Sequence, residues 1–576
     1  MAPPPAATIS IRDTLDLLDN SFPTFAQGVA DGRYAFWLGS GISLGVVPGL
    51  WGVVETVIEF LRSNRDPADA TCKFNRALEE VFQLAGLNAG QIAALDLNIP
   101  LGTWPKLTSE PIVLSLLKNY ARLLAIRVGT EPFDYLVWNV VKVPETYAAV
   151  VLEPDVEHLC LAALSLEGAA TDMVSANWDP LVERAVAVLT NGNQALAPTV
   201  VAKPDEVQLP RNRARIIKFH GCAAKAAANE ADYRPWLVAR HAQINGWCGN
   251  PNNLPFMTAL IALINEKPTF MLGLSAQDGN IQHVFQTAAK QIAWNIGAAP
   301  PGYVFSENEL GLDQKSLLEN VYGDQITPAN YDAVCDAARI QAFAKPLLTA
   351  LLLDVLARKL VALISLMPGP LPGHERKPLI DGIGRLRNDL GSAATTTVAF
   401  VVGLLERWAR ASQLLRAGEV AHPGVKYVPI SADAIPGMAG NPDHAALGLR
   451  EASVALGLLG AGVARGDWIL DAEPAATGAG VLAITSTRPG AIRTKVYLTA
   501  NAYFAMLLVG RGELDDSDAP ILIQAKPLVP SMSRSPLGSF GRTGVPPTRE
   551  ISIASMMDAC LTFDDLYANF RRELAI

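Results

Sequence analysis

Cysteine is scarce and unpaired in this 576-residue chain: Cys72, Cys160, Cys222, Cys248, Cys335 and Cys560 are the only six, and none lies in a CxxC pair. A disulfide framework or a zinc ribbon needs closer, paired spacing, so reduced thiols are expected instead. Charge is thin as well, at 18% of residues, with a formal net charge of −9. That balance argues against a protein that coats nucleic acid by overall charge, while leaving room for a local basic groove. Long uninterrupted apolar runs are missing. The most hydrophobic segment, residues 346–367, carries Asp354, Arg358 and Lys359 near its middle. A lipid-facing span tolerates such charges poorly, so the segment is expected to be a buried helix and no membrane association is expected. The opening MAPPPAATISIRD has no basic region followed by an apolar stretch. No signal peptide is therefore expected, and the expected location is cytoplasmic.

What the chain has in quantity is hydrophobic residues, 50% of the total, enough for large cores in two or three domains. After a helical lead-in, Tyr34-Ala35-Phe36-Trp37-Leu38 reads as a strand ending in Gly39-Ser40-Gly41, with a helix over 51–61 behind it. Residues 112–126 carry leucines at helical spacing. Further strand-like runs cover 172–176, 215–219 and 268–272, and end at Asn177, His220 and Gly273; another covers 303–305. Strands separated by helical segments imply a parallel α/β sheet, whose ligands bind at the carboxyl ends of the strands. This pattern predicts one domain over residues 1–345. Residues 346–419 read as helices broken by Pro368-Gly369-Pro370, and a mixed α/β region follows with strand candidates at 495–498 and 521–524. Residues 530–550, rich in Ser, Pro and Gly and carrying Arg534, Arg542 and Arg549, read as a long loop. Residues 346–576 are thus expected to form a second, regulatory or partner-binding region.

Taken singly, each polar residue at a strand end has an ordinary structural explanation. Leu44 stands where the third glycine of a dinucleotide fingerprint would fall, so that fingerprint is not met. Gly39 and Gly41 either make a tight turn or let backbone N–H groups approach a phosphate at a helix start. His220 is either a core histidine or a general base. Asn177 either caps the helix expected over 178–188 or contacts a ligand, and Asp179 complements that helix's dipole in either case. Trp51 is either core packing or a ligand wall. Asp232 is a candidate for supporting a site at His220.

As an ordered set these segments resemble the sirtuins. Leu38-Gly39-Ser40-Gly41-Ile42-Ser43 followed by Val47-Pro48-Gly49-Leu50-Trp51 is similar to the family's opening. Ser175-Ala176-Asn177-Trp178-Asp179 resembles its T-x-N-x-D segment, and Lys218-Phe219-His220-Gly221-Cys222 its K-x-H-G segment. Gly273-Leu274-Ser275-Ala276-Gln277-Asp278 resembles the G-x-S-x-x-D segment of divergent bacterial members. The resemblance implies a Rossmann-type domain in which Gly39, Ser40, Gly41, Ile42, Ser43, Pro48, Trp51, Asp179, Gly273, Ser275 and Asp278 hold NAD⁺. It implies that Asn177 and Asp179 face the nicotinamide ribose, that His220 is the catalytic base, and that Asp278 meets the adenosine ribose.

The two CxxC pairs that hold zinc in the deacetylases have no counterpart here, since Cys222 and Cys248 are the only cysteines between His220 and Pro268. The chain therefore resembles the zinc-free, sirtuin-like effectors of bacterial antiphage defence, which cleave NAD⁺ to ADP-ribose and nicotinamide, and NAD⁺ is expected as substrate with no metal. In some of these the tail is an APAZ region docking a short prokaryotic Argonaute with its guide RNA and target DNA. In others it senses a cyclic ADP-ribose signal or pairs with an ATPase. The Argonaute arrangement is the expectation, with Arg534, Arg542 and Arg549 available to nucleic acid held by that partner, and with oligomerisation linked to activation. A non-catalytic subunit that binds NAD⁺ or ADP-ribose is the alternative, and the missing cysteines disfavour a protein deacylase.

Overall fold

Short, wholly buried apolar runs lie at the centre of the first sheet: β1 (Ala35–Leu38), β2 (Asp172–Ser175) and, with one half-buried end, β4 (Arg215–Lys218), then β5 (Thr269–Leu272) and β6 (Tyr303–Ser306). The computed structural model describes residues 4–69, 71–419, 422–472, 480–514, 519–527 and 548–575. With β3 (Thr199–Val201) and β7 (Arg339–Ile340) at the edges, the strands form a seven-stranded parallel sheet in the order β3-β4-β2-β1-β5-β6-β7. Strands covered on both faces read as continuous apolar runs, and this is why the central ones are visible in the sequence. Phe36 and Leu38 pack to one face with Phe270 and Leu272, and Ala35 and Trp37 to the other with Met271 and Phe285. The edge strands escape a sequence reading because only two or three residues, all but one of them half-buried, carry no such run.

The segment between β1 and β2 is a helical module with its own core of Val53, Val57, Phe82, Leu116 and Leu136. Ala223, Ala226 and Leu237, which follow β4, complete that core, so the module is tied to the carboxyl edge of the sheet. The helix expected over 112–126 is two helices, Lys106–Leu117 and Tyr120–Leu123, because the backbone leaves helical geometry at Asn119.

A second, five-stranded sheet has the order β12-β11-β10-β9-β8 and is built from β8 (Trp468–Asp471), β9 (Leu482–Ser486), β10 (Thr494–Thr499), β11 (Ile521–Gln524) and β12 (Arg549–Ser552). β10, β11 and β12 run parallel, and β9 and β8 antiparallel. Arg534 and Arg542 lie outside the described residues. Arg549 is not a loop residue: it opens β12, and its guanidinium donates to the carbonyls of Leu574 and Ala575 at the end of the helix Phe563–Leu574. A guanidinium committed to a helix terminus in this way is a poor candidate for a phosphate contact.

The helix Ala344–Ser365 joins the two halves. Leu347, Leu348, Leu351, Leu352 and Val355 belong to the core of the first sheet, while Ala357, Leu363 and Ile364 belong to the core of the second. A boundary at residue 345 therefore falls at the start of an element that both cores share. The charges of this helix are all paired. Asp354 accepts from Arg358 at 2.6 Å and Arg387 at 2.7 Å, and the fully buried Lys359 donates to Glu167 Oε2 at 2.6 Å and Ser431 O at 2.7 Å. Burial without partners is prohibitive for such groups, so the ion pairs join the helix to both halves. Among the described residues no helix is long and apolar enough to cross a membrane.

Candidate active site

Register brings the motif segments together. Leu38 lies opposite Ser175 and Leu272, and Ser175 lies opposite Lys218, so the chain leaves β1, β2, β4 and β5 at one level. From β1 the connections run first towards β2 and later towards β5, and the β1/β5 crevice is thus the switch point where ligands of such sheets bind.

The glycine turn is shaped by contact between two loops. Gly39 N–H donates to Leu272 O at 2.9 Å and Gly41 N–H to Gly273 O at 3.0 Å. A Cβ on Gly39 would lie 2.2 Å from Gly273 O, and one on Gly41 would lie 2.5 Å from Gly273 Cα. Gly273 itself has φ +58°. The two N–H groups expected to approach a phosphate are therefore committed to the segment after β5. The Gly39→Ala variant should lower the thermal midpoint by several degrees, since a backbone clash costs about 1–3 kcal/mol. An unchanged midpoint in a melting experiment would mean that the loops separate freely.

Behind this turn a polar relay holds Asp179. Asp155 N–H donates to His158 Nδ1 at 3.1 Å, which leaves the proton on Nε2, 3.2 Å from Ser43 Oγ. The Ser43 hydroxyl donates to Asp179 Oδ2 at 3.1 Å, and Asp179 Oδ1 accepts from Leu181 N–H at 3.2 Å. Burial pushes the His158 pKa down to about 4, so the ring is neutral at ordinary pH, as the relay requires. Lys218 donates to the Asp179 carbonyl and pairs with Glu183 at 2.8 Å. No sequence motif marks His158. Its one signal is a polar residue inside the apolar helix Val156–Leu166.

Asn177 is 8% exposed and caps no helix, since the following helix starts at Leu181. Its Nδ2 donates to Gly39 O at 3.0 Å, which ties the end of β2 to the end of β1. Its Oδ1 accepts no hydrogen bond among the described residues. His220 is 7% exposed, and its carbonyl accepts from Trp178 Nε1 and Val238 N–H, both at 3.1 Å. Gly221, at φ +89°, turns the chain immediately afterwards. The His220 ring packs on Phe219 with centroids 4.4 Å apart, and its Nε2 lies 3.0 Å from Asp278 Oδ2. At that distance the ring N–H is not aligned on the oxygen, and neither atom has another hydrogen-bond partner among the described residues.

Burial pushes the Asp278 carboxyl up, but His220 and the Asn280 N–H outweigh it and hold the group below its ordinary value. Two further groups face Asp278, Tyr120 from the helical module and Cys248 from the segment between β4 and β5. Tyr120 is raised to about 12 and Cys248 to about 11, by burial first and by Asp278 second, so both stay protonated.

Asp232 belongs elsewhere. It is exposed, it pairs with Lys203 at 3.3 Å, and its N–H goes to Asn229, so the carboxylate beside His220 is that of Asp278. Trp51 is 38% exposed on the first turn of the helix Leu50–Ser63 and is not core packing. Pro48 O accepts from Tyr147 Oη at 2.9 Å, which anchors the segment leading to Trp51. Ser40 and Ser275 are exposed at the same edge, and Ile42 is buried beneath it. Among the described residues no group of three or more His, Cys, Asp or Glu side chains is arranged to hold a metal.

A family model described as a SIR2-like domain matches residues 171–324. The match opens one residue before β2 and takes in Asn177, Asp179, His220, Gly273, Ser275 and Asp278; β1 and its glycine turn precede it. No curated protein matches the chain. SIR2-like domains are often NAD-dependent enzymes. The first sheet of this protein therefore carries a SIR2-like domain, a module associated with NAD chemistry.

Proposed function

We propose that the chain is an NAD⁺ glycohydrolase, cleaving NAD⁺ to ADP-ribose and nicotinamide. The observation that carries this reading is the pair of buried polar side chains, Asn177 and His220, at the ends of the adjacent strands β2 and β4, beside the crevice that a dinucleotide would occupy. Buried polar atoms normally have partners, and Asn280 Nδ2 has none among the described residues, so a ribose hydroxyl or an amide fits there.

The bond from the ribosyl carbon to nicotinamide breaks with its electrons going to the leaving ring, and the carbon develops oxocarbenium character. A water oxygen then bonds to that carbon. Asn177 Oδ1 accepts from the water or a ribose hydroxyl, and His220 takes the proton released. The leaving group is good without further activation, so positioning and proton removal are what the protein supplies. Purified protein, with its activating partner, incubated with NAD⁺ should release nicotinamide and ADP-ribose, with or without an acylated peptide. Strict dependence on the peptide would identify a deacylase, and binding without turnover a sensing subunit.

In Asn177→Ala, turnover should fall by about 100-fold or more through loss of the ribose or water contact. NAD⁺ affinity measured by calorimetry should change by less than about tenfold, because Asn177 meets only the ribose or the water and the rest of the dinucleotide is bound elsewhere in the crevice. Loss of binding together with activity would contradict this division of roles.

The biological setting proposed is depletion of cellular NAD⁺ in antiphage or anti-plasmid immunity, with activity gated by a short Argonaute that docks on residues 346–576. The second sheet and the helix shared by both cores support such gating, since a load on the second half reaches the first through a rigid element. Co-purification of the full chain with the Argonaute, followed by NAD⁺ loss only when guide and target are added, is the test.

A further inference from the structure

His220 and Asp278 come from strands that are not neighbours. β2 and β1 lie between β4 and β5, which at ordinary spacing separates the two strand ends by roughly 14 Å. Yet His220 Nε2 and Asp278 Oδ2 are 3.0 Å apart, so the turns after β4 and β5 both lean over the ends of β2 and β1 and meet above them. Each partner is held from behind. The His220 carbonyl takes two hydrogen bonds and its ring lies on Phe219, while Asp278 Oδ1 caps the helix Gly279–Gln291 by accepting Asn280 N–H at 2.8 Å. What remains is one nitrogen and one oxygen, both buried and both without another partner among the described residues.

A buried N–H left unmade costs about 1–3 kcal/mol, and a buried carboxylate oxygen more. A small rotation of the imidazole aligns the two and satisfies both. Which nitrogen carries the proton in a neutral histidine is set by the hydrogen bond the other atoms allow. Here the acceptor stands at Nε2, so the proton belongs on Nε2 and the lone pair on Nδ1, which makes no hydrogen bond among the described residues. The other groups that face Asp278, Tyr120 from the module and Cys248 from the segment between β4 and β5, are held protonated and do not compete for its charge.

We infer that Asp278 is a positioning residue for His220: its carboxylate holds the Nε2–H tautomer and stabilises the ring once protonated, so that Nδ1 is the nitrogen that accepts the proton in catalysis. This rests on the hydrolase reading and departs from the adenosine-ribose role that the motif resemblance assigns to Asp278. It also explains why the base and the carboxylate come from opposite sides of the switch point: their contact forms only when both turns are seated over the crevice.

The test uses full-length protein with ¹⁵N-labelled histidine, the His220 signals being assigned by their loss in His220→Gln. At a pH where the ring is neutral, the wild type should carry the proton on Nε2, whereas Asp278→Asn has one oxygen, held by the Asn280 N–H at the helix cap, so its amide presents an N–H to Nε2 and the proton should move to Nδ1. Asp278→Ala should lose the single tautomer. In the activated complex both variants should lose about tenfold or more in kcat, with KM for NAD⁺ changed by less than about threefold, since a positioned base supplies about 10²–10⁴-fold. A proton on Nδ1 in the wild type overturns the inference. So does a raised KM with kcat intact, the signature of a ribose contact. If the tautomer behaves as described and the wild type never cleaves NAD⁺, the hydrolase reading fails while the pairing stands.

Discussion

His220→Ala should abolish NAD⁺ cleavage, with a fall of about 10²–10⁴-fold, while the circular dichroism and melting of the chain stay close to those of the parent. The ring is buried on Phe219 at the mouth of the crevice, and its removal leaves Asp278 Oδ2 without a counterpart. That orphaned carboxylate oxygen costs more than the about 1–3 kcal/mol of a neutral group, a local penalty that a chain with several separate cores survives. The loss of activity is large because no other described residue replaces the lone pair: Asp278 is engaged with Asn280, and Asp179 is engaged with Ser43 and Leu181. His220→Gln, which keeps much of the volume, should be equally inactive. Near-normal turnover in a folded variant of either kind would remove His220 from the mechanism.

A chain ending at Lys345 should fail to fold. Such a truncation looks reasonable from the sequence, because the motif segments all precede it. It removes Leu347, Leu348, Ala350, Leu351, Leu352, Leu353 and Val355, all of which lie in the core of the first sheet. Each buried Leu or Val contributes about 1.5–3 kcal/mol, so the six together contribute about 9 kcal/mol or more, which rivals the about 5–15 kcal/mol that holds an ordinary domain together. It also strips Lys359 from the buried Glu167, leaving that carboxylate without its cation. Expression should yield aggregate or a chain without a cooperative melting transition. A monomeric 1–345 chain that melts cooperatively would show that the first core closes without this helix. If the prediction holds, the candidate active site cannot be separated from the region proposed to dock the partner, because one helix belongs to both cores.

Several elements were legible before any coordinates. The apolar runs at 34–38, 172–176, 215–219, 268–272 and 303–305 are strands within a residue or so, and so are those at 495–498 and 521–524. Residues 346–367 are a buried helix with paired charges, as the missing lipid-type run suggested. Two misreadings share one cause. The helix over 178–188 starts at Leu181, so Asn177 caps nothing and its amide reaches back to Gly39. The composition of its neighbours reads Arg549 as a loop residue, yet it opens a strand and caps the last helix. In both cases a polar group found a partner outside its own segment.

The sequence by itself determined the parallel sheet and the level at which polar residues leave it, because burial on two faces demands a run of apolar side chains and such a run ends where the strand ends. Only the tertiary structure decided the partners. Asp278 and not Asp232 stands at His220, since Asp232 is satisfied by Lys203 at the surface. His158 holds Ser43 and through it Asp179, although no motif marks it. Gly39 and Gly41 are glycines because the turn after β5 touches them, and the helix Ala344–Ser365 belongs to two cores at once. The physical reason is range. A strand is a property of consecutive residues, whereas a hydrogen bond or a close backbone contact is settled at about 3 Å in space, whatever length of chain lies between.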